Sequence, residues 1–443
     1  MADIVLENLY LHRSMDACIK RRCMRIHFVG INGVSMRALS ELAETFGHTV
    51  TGSDANLSGH NEHNVDGANL VVYTNAVPQD NVELKRARFL GIPTIERATY
   101  LGEVAANYRD VIAVAGCHGK STTAAMLGAA FSPLNPTLHV GAFGASHVGG
   151  RKFFITEACE YKGSFLHLKP DIAVILNIGY DHPDYYRDKS DVTKAFRNFA
   201  SSAHTVIVNG DDEECKTFAN CVTFGIGEGN TYRAVDIETN GGYRAFTLYV
   251  NGKRAVRVSL SIAGGHNVYN ALASLAAADA CKIPLYIAAR NIGTFHGVPR
   301  RFERKGIAYN KSIFVDYAHH PDEIAATIRT AREIYPSVAV VFQPHTYSRT
   351  KALFGEFVDA LSLADSVILA PIYSARELDD LGVSSEELAA AISSRGKRAQ
   401  YCDSIFSSVE SAKLLPEKAL IFMGAGDINS GADMLLRRWA SNK

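Results

Sequence analysis

Short apolar runs alternate with stretches of helical periodicity in the first part of the chain. An apolar run at residues 25–30 is followed by a loop of small residues, a helical pattern at 35–46 and a strand-like run at 49–52. A further strand candidate lies at residues 70–73. Strands that alternate with helices are typical of a parallel sheet with crossover helices. The pattern therefore predicts an α/β domain, which we place at residues 1–108.

The same alternation begins again in the middle of the chain and then changes character. The parallel-strand candidates are short buried runs at residues 111–115, 153–156, 172–176 and 205–208. Between residues 233 and 261, two alternating runs flank Asn251-Gly252, a dipeptide that is typical of a β-hairpin. An alanine-rich helix candidate follows at residues 267–281. We predict a central domain at residues 109–298, with a mainly parallel sheet and a small antiparallel part.

The last third of the chain returns to the alternation of strands and helices. Its strand candidates are apolar runs at residues 312–316, 338–342, 367–370 and 420–423. Its helix candidates are amphipathic stretches at residues 322–334, 351–363 and 385–394. The segment 293–301 is predicted to be a linker because it contains Gly297 and Pro299. We predict a third α/β domain at residues 299–443, so the fold class is three α/β domains in series.

Composition excludes several classes of function. The chain has 443 residues with 46 basic and 46 acidic side chains, so no net charge attracts it to nucleic acid or to an anionic membrane. No apolar run approaches the roughly 18 residues of a membrane-spanning helix, and residues 1–23 lack the apolar core of a signal peptide. The eight cysteines include no Cys-x-x-Cys pair, as is typical of reduced thiols. We expect a cytoplasmic monomer or homodimer with small-molecule partners, and no nucleic-acid or membrane partner.

A glycine-containing loop stands between the buried run at 111–115 and the next helix. It reads Gly116-Cys-His-Gly119 and continues into Lys120, Ser121 and Thr122. This is the context of a phosphate loop, because glycines let backbone N–H groups approach phosphate oxygens at a helix N-terminus. The lysine can meet the terminal phosphates and the serine hydroxyl can hold Mg²⁺. Ala113 replaces the usual first glycine, so the loop is a variant. A turn capped by Ser and Thr is the alternative, but it leaves the run from Lys120 unexplained.

Two polar residues in the central domain follow strand candidates. Glu157 ends one of them and His182 comes after another. Because the carboxyl ends of parallel strands converge on the edge of the sheet where ligands bind, both side chains are expected near the phosphate loop. A carboxylate and a neutral imidazole could bind divalent metal ions there. A lone Glu and a lone His also have purely structural explanations, so these residues by themselves leave metal binding open.

Glycines follow the first strand of the N-terminal domain as well. Gly30, Asn32 and Gly33 come after that strand, and Ser53 and Asp54 close the second strand about 20 residues later. This has the spacing of a Rossmann fingerprint, in which the backbone grips a diphosphate and an acidic residue contacts a ribose. Asn32 interrupts the glycine pattern. A dinucleotide, a nucleotide-sugar and a plain tight turn therefore all remain open.

Polar side chains also crowd two strand ends in the third domain. The first such end is the sequence Asp316-Tyr-Ala-His319-His-Pro321, and the second is His345-Thr-Tyr-Ser348-Arg349. Both have a structural explanation as proline-bounded turns and helix caps. Two consecutive polar strand ends in one domain nevertheless favour a binding site.

Taken together, these motifs resemble the Mur ligases, the ATP-dependent amide-forming enzymes of peptidoglycan assembly. The resemblance extends from residue 25 to the C-terminus. It is carried by the segments 26–36, 52–54, 116–123, 157–160, 164–166, 177–182, 265–270, 300–302, 316–321, 343–350 and 424–427. Within the family, the chain is most similar to members that use L-alanine.

The resemblance implies a Rossmann-like domain for a UDP-sugar, a central phosphate-loop ATPase domain and a Rossmann-like C-terminal domain that closes over ATP and the amino acid. It implies a UDP-sugar site at Gly30, Asn32, Gly33, Ser53, Asp54 and His60. It implies an ATP site at Gly116, Cys117, His118, Gly119, Lys120, Ser121, Thr122, His266, Asn267, Asn270, Arg301 and Asp316. It implies an amino-acid site at Tyr317, His319, His345 and Arg349.

The implied chemistry has two steps. The carboxylate of UDP-N-acetylmuramate attacks the γ-phosphorus of ATP, and the amine of L-alanine then displaces phosphate from the acyl phosphate. Lys120, Glu157 and His182 are the implied catalytic residues. The implied cofactor is Mg²⁺ or Mn²⁺, with Ser121, Glu157 and His182 as the implied metal-binding residues.

Several positions depart from the family pattern. The unusual residues are Asn32 for Gly, Cys117 for Thr, Ser121 for Thr, Cys159 for Asp and Thr346 for Arg. Only fifteen residues, 55–69, separate the second and third strand candidates of the N-terminal domain, too few for the αβ unit of the family. Three functions stay open: an alanine-adding ligase, a recycling ligase that attaches a peptide to the same sugar, and a nucleotide-binding regulator that has lost ligation.

Overall fold

The computed structural model describes residues 23–55, 59–142, 144–182, 185–375, 377 and 381–441. Residues 1–22, where a signal-peptide core was predicted to be missing, lie outside the described residues. The described residues form three sheets with helices packed on them. This arrangement confirms the predicted class of three α/β domains. No described helix combines the length and the apolar character needed to cross a membrane.

The N-terminal sheet has four parallel strands. They are β1 (Arg25–Val29), β2 (Thr49–Ser53), β3 (Leu70–Tyr73) and β4 (Thr94–Glu96), in the order β2-β1-β3-β4. The helices are α1 (Val34–Thr45), α2 (Val82–Phe89) and α3 (Arg97–Ala105). In α1, Met36, Leu39, Leu42 and Ala43 are buried, because spacings of three and four residues place them on one face.

The connection between β2 and β3 is as short as the sequence indicates. Its described residues contain one 3-10 turn, Glu62–Val65, and neither an α-helix nor a strand. The N-cap of this turn is Asn61, whose side chain accepts a hydrogen bond from the backbone N–H of His63.

The central sheet has nine strands, in the order β13-β12-β11-β10-β9-β8-β5-β7-β6. The strands are β5 (Asp110–Ala115), β6 (Thr137–His139), β7 (Phe153–Glu157), β8 (Ile172–Ile175), β9 (Thr205–Asn209), β10 (Val222–Gly225), β11 (Tyr232–Asn240), β12 (Tyr243–Val250) and β13 (Lys253–Ala263). The helices are α4 (Lys120–Ala130), α5 (Lys189–Ser201), α6 (His266–Ala280) and α7 (Leu285–Ile292). Short 3-10 turns occupy Ser132–Leu134, Tyr161–His167 and Cys215–Thr217.

The antiparallel part of the central sheet confirms the predicted hairpin. Val250 pairs with Lys253 across β12 and β13, so the loop between them is Asn251-Gly252. The φ angles of these two residues are 49° and 74°. Two successive residues with positive φ are the requirement of a type I′ turn, which explains the Asn-Gly sequence.

The C-terminal sheet has six strands, in the order β14-β15-β19-β16-β17-β18. The strands are β14 (Glu303–Ala308), β15 (Lys311–Asp316), β16 (Val338–Phe342), β17 (Ser366–Leu369), β18 (Arg398–Tyr401) and β19 (Ala419–Met423). The helices are α8 (Pro321–Ile334), α9 (Tyr347–Ala352), α10 (Phe354–Leu361), α11 (Ser385–Ser394), α12 (Ile405–Leu414) and α13 (Asn429–Ser441). Strand β14 is antiparallel to β15, and the other pairings are parallel.

The prediction of one continuous helix in the C-terminal domain is wrong. The stretch 351–363 was expected to be a single helix, but α9 ends at Ala352 and α10 begins at Phe354. Between them, Leu353 has φ −113° and ψ 25°, outside the helical region. The hydrophobic spacing shows which residues face the core but does not show where the backbone breaks.

The register of the central sheet assembles the site. Strand β5 lies between β7 and β8, and Val114 pairs with Glu157 while Ala115 pairs with Ile175. The carboxyl ends of the three strands therefore meet at one edge. The phosphate loop follows the first strand, Glu157 ends the second, and the segment that contains His182 follows the third.

Candidate functional site

The phosphate loop joins β5 to α4. The φ values of Gly116 and Gly119 are 144° and 87°, in the region that glycine favours. A Cβ atom at Gly119 would lie 2.8 Å from Asn270 Oδ1, and one at Gly116 would lie 3.0 Å from Leu176 Cβ. Backbone conformation and packing therefore both require these glycines. The loop ends at the N-terminus of α4, which favours a bound anion.

The ammonium of Lys120 is turned back onto its own loop. Its Nζ donates to the main-chain oxygen of Gly116 at 2.5 Å and to that of Cys117 at 3.2 Å, and it lies 3.0 Å from Oε2 of Glu160. Burial lowers the pKa of Lys120, but the interactions with its neighbours, of which the charge of Glu160 is the largest, together outweigh burial and raise the pKa above its usual value. Lys120 is therefore charged, and Glu160 is its counter-ion.

Two side chains fasten the loop to the segment after β8. The thiol of Cys117 accepts a hydrogen bond from the backbone N–H of Gly179 at 3.0 Å and donates to the oxygen of Gly179 at 3.1 Å. The amide of Asn177 accepts from the N–H of His118 at 2.9 Å and donates to the oxygen of His118 at 3.1 Å. Sequence reasoning did not assign Asn177, although its place directly after a strand candidate was a usable signal.

A cavity of about 840 Å³ opens from the phosphate loop between the central and C-terminal domains. The residues predicted for ATP that line it are His118, Gly119, Ser121, Thr122, His266, Asn267, Asn270, Arg301 and Asp316. The other three, Gly116, Cys117 and Lys120, belong to the loop itself and are not among the lining residues. The wall also contains Tyr243, Tyr269 and Tyr335, which sequence reasoning did not single out. Aromatic rings of this kind can stack on a nucleobase.

Side chains at the start of α6 are fixed by hydrogen bonds. Asn267 donates to the oxygen of Ala263 at 2.7 Å, and Asn270 donates to Asn267 Oδ1 at 2.9 Å and accepts from Thr123 at 3.1 Å. Burial and the charge of Arg244 lower the pKa of His266 to about 4. The His266 imidazole is therefore neutral at pH 7.

Carboxylates and an imidazole meet beside the phosphate loop. Ligand atoms of Glu160, Asp181 and His182 all lie within 4.8 Å of one another. Burial lowers the pKa of His182, although the neighbouring carboxylates oppose this, so its imidazole is suited to bind a metal ion. Glu157 lies outside this group and accepts a hydrogen bond from the backbone N–H of Gly141 at 2.5 Å. The hydroxyl-bearing Ser121 is 5% exposed.

The structure therefore brings His182 together with two carboxylates that sequence reasoning did not assign. Both were within reach of it, because Glu160 closes the segment that begins with Glu157 and Asp181 directly precedes His182. Oxygen and imidazole ligands of this kind fit Mg²⁺ or Mn²⁺. His182 also has a φ of 60°, a conformation that is uncommon for residues other than glycine and that recurs at functional sites.

The four residues predicted for the amino acid lie near one another at the mouth of the C-terminal domain. The ring centroids of Tyr317 and His319 are 5.4 Å apart, and those of His319 and His345 are 6.0 Å apart. Burial lowers the pKa of His319 to about 4; the carboxylate of Glu323 opposes this and the charge of Arg349 adds to it. The positive charge of Arg349 therefore lies close enough to the His319 ring to lower its pKa.

Two pairs of residues join the central and C-terminal domains across the site. Arg349 Nη2 lies 3.3 Å from Asp181 Oδ1, and both side chains are buried. Glu323 Oε1 lies 3.2 Å from His118 Nδ1, and its Oε2 accepts from the backbone N–H of His319 at 3.2 Å. The loop predicted for ATP and the residues predicted for the amino acid are thus linked through one carboxylate, which sequence reasoning missed.

The N-terminal site predicted for a UDP-sugar is built from the ends of β1 and β2. Gly30 has φ 88°, and its N–H donates to the oxygen of Ser53 at 2.8 Å. The N–H of Asn32 donates to Asp54 Oδ2 at 3.1 Å. Asn32 itself does not have a positive φ, so this conformation does not require the glycine of the family pattern. Gly33 precedes α1 as its N-cap.

The His60 ring also belongs to this N-terminal region. Its Nδ1 lies 3.3 Å from Ser53 Oγ. The structure therefore groups Ser53 with His60, and Asn32 with Asp54, next to the loop from Gly30 to Gly33.

This fold and site define a class of protein. It is a nucleotide-binding protein of three α/β domains, in which a phosphate loop, a group of carboxylates with an imidazole, and a second α/β domain enclose one cavity.

Comparison with known proteins identifies the family. Residues 25–109, 114–278 and 300–426 match the models of the Mur ligase family catalytic domain, the Mur ligase middle domain and the Mur ligase glutamate ligase domain. The chain belongs to the Mur ligase family. The boundaries at residues 108 and 298 stay predictions.

Individual relatives are similar over nearly the whole chain. The chain is 40% identical to the UDP-N-acetylmuramate–L-alanine ligase of Acetivibrio thermocellus, over 93% of this chain and 95% of the relative. The crystal structure of the UDP-N-acetylmuramate–alanine ligase of Thermotoga maritima has a TM-score of 0.82 and 29% identity, and the match covers 95% of this chain and all of that one. A murein peptide ligase of Psychrobacter arcticus shares the fold with a TM-score of 0.69 and 23% identity, over 94% of this chain and 98% of that one.

Proposed function

We propose that this chain is an ATP-dependent, ADP-forming ligase that joins L-alanine to the carboxylate of UDP-N-acetylmuramate in the synthesis of peptidoglycan precursors. Two observations carry the proposal. The alanine-adding relative is 40% identical over 93% of the chain, and the residues expected for ATP and for the amino acid meet at one interface. ATP and a UDP-sugar are cytoplasmic metabolites, so we also place the protein in the cytoplasm, as a monomer or homodimer.

The reaction has two steps. An oxygen of the muramyl carboxylate attacks the γ-phosphorus of ATP, the bond from that phosphorus to the β,γ-bridging oxygen breaks, and ADP leaves. The amine nitrogen of L-alanine then attacks the acyl carbon, the bond from carbon to the phosphate oxygen breaks, and phosphate leaves as the nitrogen loses a proton. Both steps need close alignment of charged groups, which binding in a closed cavity provides.

The residues of the phosphate loop stabilise the charge of the transferred group. The backbone N–H groups at the start of α4 can donate to phosphate oxygens, and Lys120 supplies a full positive charge. On ATP binding, the ammonium of Lys120 exchanges its contacts with Gly116 and Glu160 for contacts with phosphate oxygens. Arg301, which lines the same cavity, contributes a second positive charge.

Divalent metal ions fit the donors beside the loop. Ser121, Glu157 and His182 would hold Mg²⁺ or Mn²⁺, and Glu160 and Asp181 add two carboxylates around the imidazole of His182. When bound, the metal neutralises charge on the phosphates. The chain orients its ligands by hydrogen bonds, of which the one from the N–H of Gly141 to Glu157 is an example.

Tyr317, His319, His345 and Arg349 form the site for L-alanine. The guanidinium of Arg349 is held by Asp181 on one side and is suited to the carboxylate of an amino acid. Burial lowers the pKa of His319 to about 4, so its imidazole is neutral at pH 7 and adds no positive charge beside the amino group of the substrate.

An ADP-release assay tests the proposed function. Purified protein receives ATP, Mg²⁺ and UDP-N-acetylmuramate with each L-amino acid in turn, and with the recycled tripeptide. We expect turnover with L-alanine and at least ten times less with other amino acids or the tripeptide. Preference for the tripeptide would support a recycling ligase instead. ATP binding without turnover for any acceptor would support a regulator that has lost ligation.

A further inference from the structure

A fully buried carboxylate lies under the predicted UDP-sugar site. Glu83, on α2 of the N-terminal domain, has an exposed fraction of 0%. Among the described residues, no lysine or arginine forms an ion pair with it; the nearest side chains with nitrogen atoms in rings are His27, at 3.8 Å, and His60, at 3.3 Å. A buried carboxylate is costly unless hydrogen bonds satisfy its oxygens, so its partners need an explanation.

Those partners come from the end of β2 and from the short segment that follows it. Ser53 Oγ donates to Glu83 Oε2 at 2.6 Å. Asn64 Nδ2 and the backbone N–H of Asn61 donate to Oε1 at 2.5 and 3.2 Å. Burial raises the pKa of Glu83, but the interactions with His27, Ser53, Asn64 and the N–H of Asn61 together outweigh burial and hold it at about 2. Glu83 is therefore ionised at neutral pH.

An ionised carboxylate accepts hydrogen bonds and cannot donate them, so it fixes the hydrogens of its neighbours. The hydroxyl hydrogen of Ser53 must point at Glu83, so the buried Ser53 Oγ can only accept from its other neighbour, the Nδ1 of His60 at 3.3 Å. Glu83 Oε2 and Ser53 Oγ both accept toward Nδ1 of His60, so Nδ1 carries a hydrogen, and in the neutral ring Nε2 is then the acceptor. The side chain of His60 is 24% exposed, so this acceptor can reach a ligand.

We propose that Glu83 is a positioning residue of the UDP-sugar site, which together with Ser53 fixes the hydrogen on Nδ1 of His60 and so turns Nε2 of His60 into a hydrogen-bond acceptor for a donor group of the nucleoside. The inference rests on the proposed function, because the resemblance to the family places Ser53 and His60 near the nucleoside. The ligand group that faces this acceptor must be a neutral hydrogen-bond donor. A uridine has such donors at the imide N–H of its base and at its ribose hydroxyls. The diphosphate has only acceptor oxygens and does not match this end of the site.

The shortness of the connection adds a second reason for this role. Residues 59–65 hold no α-helix or strand, and the carboxylate of Glu83 is the common partner of Ser53, His60, Asn61 and Asn64. One side chain thus fixes both the direction of the hydrogen bonds and the path of the backbone that carries His60.

The test compares Glu83→Gln with the wild type by steady-state kinetics and by calorimetric titration with UDP. Glutamine has the same shape, but its NH₂ group would face the donors of Ser53 or Asn64. We expect the KM for UDP-N-acetylmuramate and the Kd for UDP to rise at least tenfold, while kcat and the KM values for ATP and L-alanine change less than threefold. Glu62→Gln is the matched control, because Glu62 lies on the same segment with its side chain 59% exposed, and it should leave all constants unchanged.

Ligand analogues identify the donor group. Wild-type protein should bind one of three analogues, 3-methyl-UDP, 2′-deoxy-UDP or 3′-deoxy-UDP, at least tenfold more weakly than UDP. The analogue that binds weakly shows whether the donor is the imide N–H, the 2′-hydroxyl or the 3′-hydroxyl. Glu83→Gln should no longer discriminate against that analogue. Ser53→Ala should weaken UDP binding, and its effect should not add to that of Glu83→Gln if one acts through the other.

The outcomes separate the two proposals. If the wild type turns over L-alanine but Glu83→Gln keeps its KM and Kd within twofold, the role of Glu83 is wrong and the proposed function stands. If the wild type has no turnover but binds UDP, and Glu83→Gln loses that binding, the function is wrong and the role of Glu83 stands. A wild type that neither binds UDP nor turns over overturns both. A Glu83→Gln protein that loses its cooperative unfolding transition, while Ser53→Ala folds and binds UDP normally, also overturns the positioning role.

Discussion

Lys120 Nζ lies 3.0 Å from Oε2 of the buried Glu160, although the two residues are 40 positions apart in the chain. The ion pair keeps the ammonium at the phosphate loop and charged. The lysine is therefore positioned before the nucleotide binds. On binding, the phosphates of ATP must replace the carboxylate of Glu160 as the partner of the ammonium.

Lys120→Ala is expected to lower kcat/KM for ATP by about 10³-fold or more, because a positive charge aimed at a transferring phosphate supplies several kcal/mol. The measurement is ADP release with UDP-N-acetylmuramate and L-alanine. Lys189→Ala is the control, since Lys189 is half-exposed and pairs with Glu214 on the surface of the same domain. A Lys120→Ala enzyme that keeps more than a tenth of wild-type activity would contradict the assignment of the phosphate loop.

Arg349→Lys is expected to raise the KM for L-alanine at least tenfold and to change the KM for ATP much less. The guanidinium of Arg349 contacts Asp181 across the domain interface, and the shorter reach and single point charge of lysine cannot serve Asp181 and a substrate carboxylate together. The measurement is a titration of L-alanine at saturating ATP. Arg395→Lys, at an exposed pair with Asp359, should behave as the wild type. Equal changes in both KM values would instead indicate a general loss of domain closure.

Asp316 should make stability depend on pH in an identifiable way. Burial raises the pKa of Asp316 to about 6, whereas its ordinary value is 3.8. A carboxyl whose pKa is raised on folding gives stability that is complete below the unfolded pKa and is lost as pH rises through the folded pKa. At about 1.4 kcal/mol per pH unit, the loss between pH 4 and pH 7 is about 2 kcal/mol.

Asp316→Asn removes this titration. The free energy of unfolding of the variant minus that of the wild type should therefore increase by about 2 kcal/mol between pH 4 and pH 7. Urea unfolding at several pH values measures it, and Asp359→Asn, at an exposed carboxylate, is the control. Parallel curves for Asp316→Asn and the wild type would show that the carboxyl is not buried as described.

Cys117 should resist alkylation in spite of its place in the phosphate loop. Burial, reinforced by the charge of Glu160, raises the pKa of its thiol far above the usual value, and the thiol is engaged with Gly179 on both sides. Because the thiolate is the reactive form, iodoacetamide at pH 7.5 should label the exposed Cys23 much faster than Cys117. Peptide mapping by mass spectrometry measures the two rates. Fast labelling of Cys117 with loss of activity would contradict this.

Much of the site could be predicted from the chain because its signals are local. The two glycines, Lys120 and Ser121 form a continuous motif between a strand and a helix, and nine of the twelve residues predicted for ATP line the cavity. The hairpin at Asn251-Gly252 is local in the same sense, since the backbone requirement and the residues that satisfy it are adjacent. In each case a few neighbouring residues contain the whole physical reason.

The roles of other residues in the site could not be predicted from the sequence, because they depend on contacts with residues that are distant in the chain. Glu323 contacts His118 across 205 positions of the chain, and Arg349 contacts Asp181 across 168. Whether a carboxylate lies at a surface or is buried against a phosphate loop depends on the packing of two domains, which no local pattern contains. The split of the predicted helix 351–363 has the same origin, because hydrophobic spacing reports the buried face and not the path of the backbone.

By itself, the sequence determined the α/β class, the phosphate loop and the family, because hydrophobic periodicity and contiguous motifs depend on near neighbours. Only the tertiary structure decided that Glu160 is the counter-ion of Lys120, that His182 meets Glu160 and Asp181, and that Glu83 lies beneath Ser53 and His60. The physical reason is that burial and charge set the role of a titratable group, and both are properties of the folded chain.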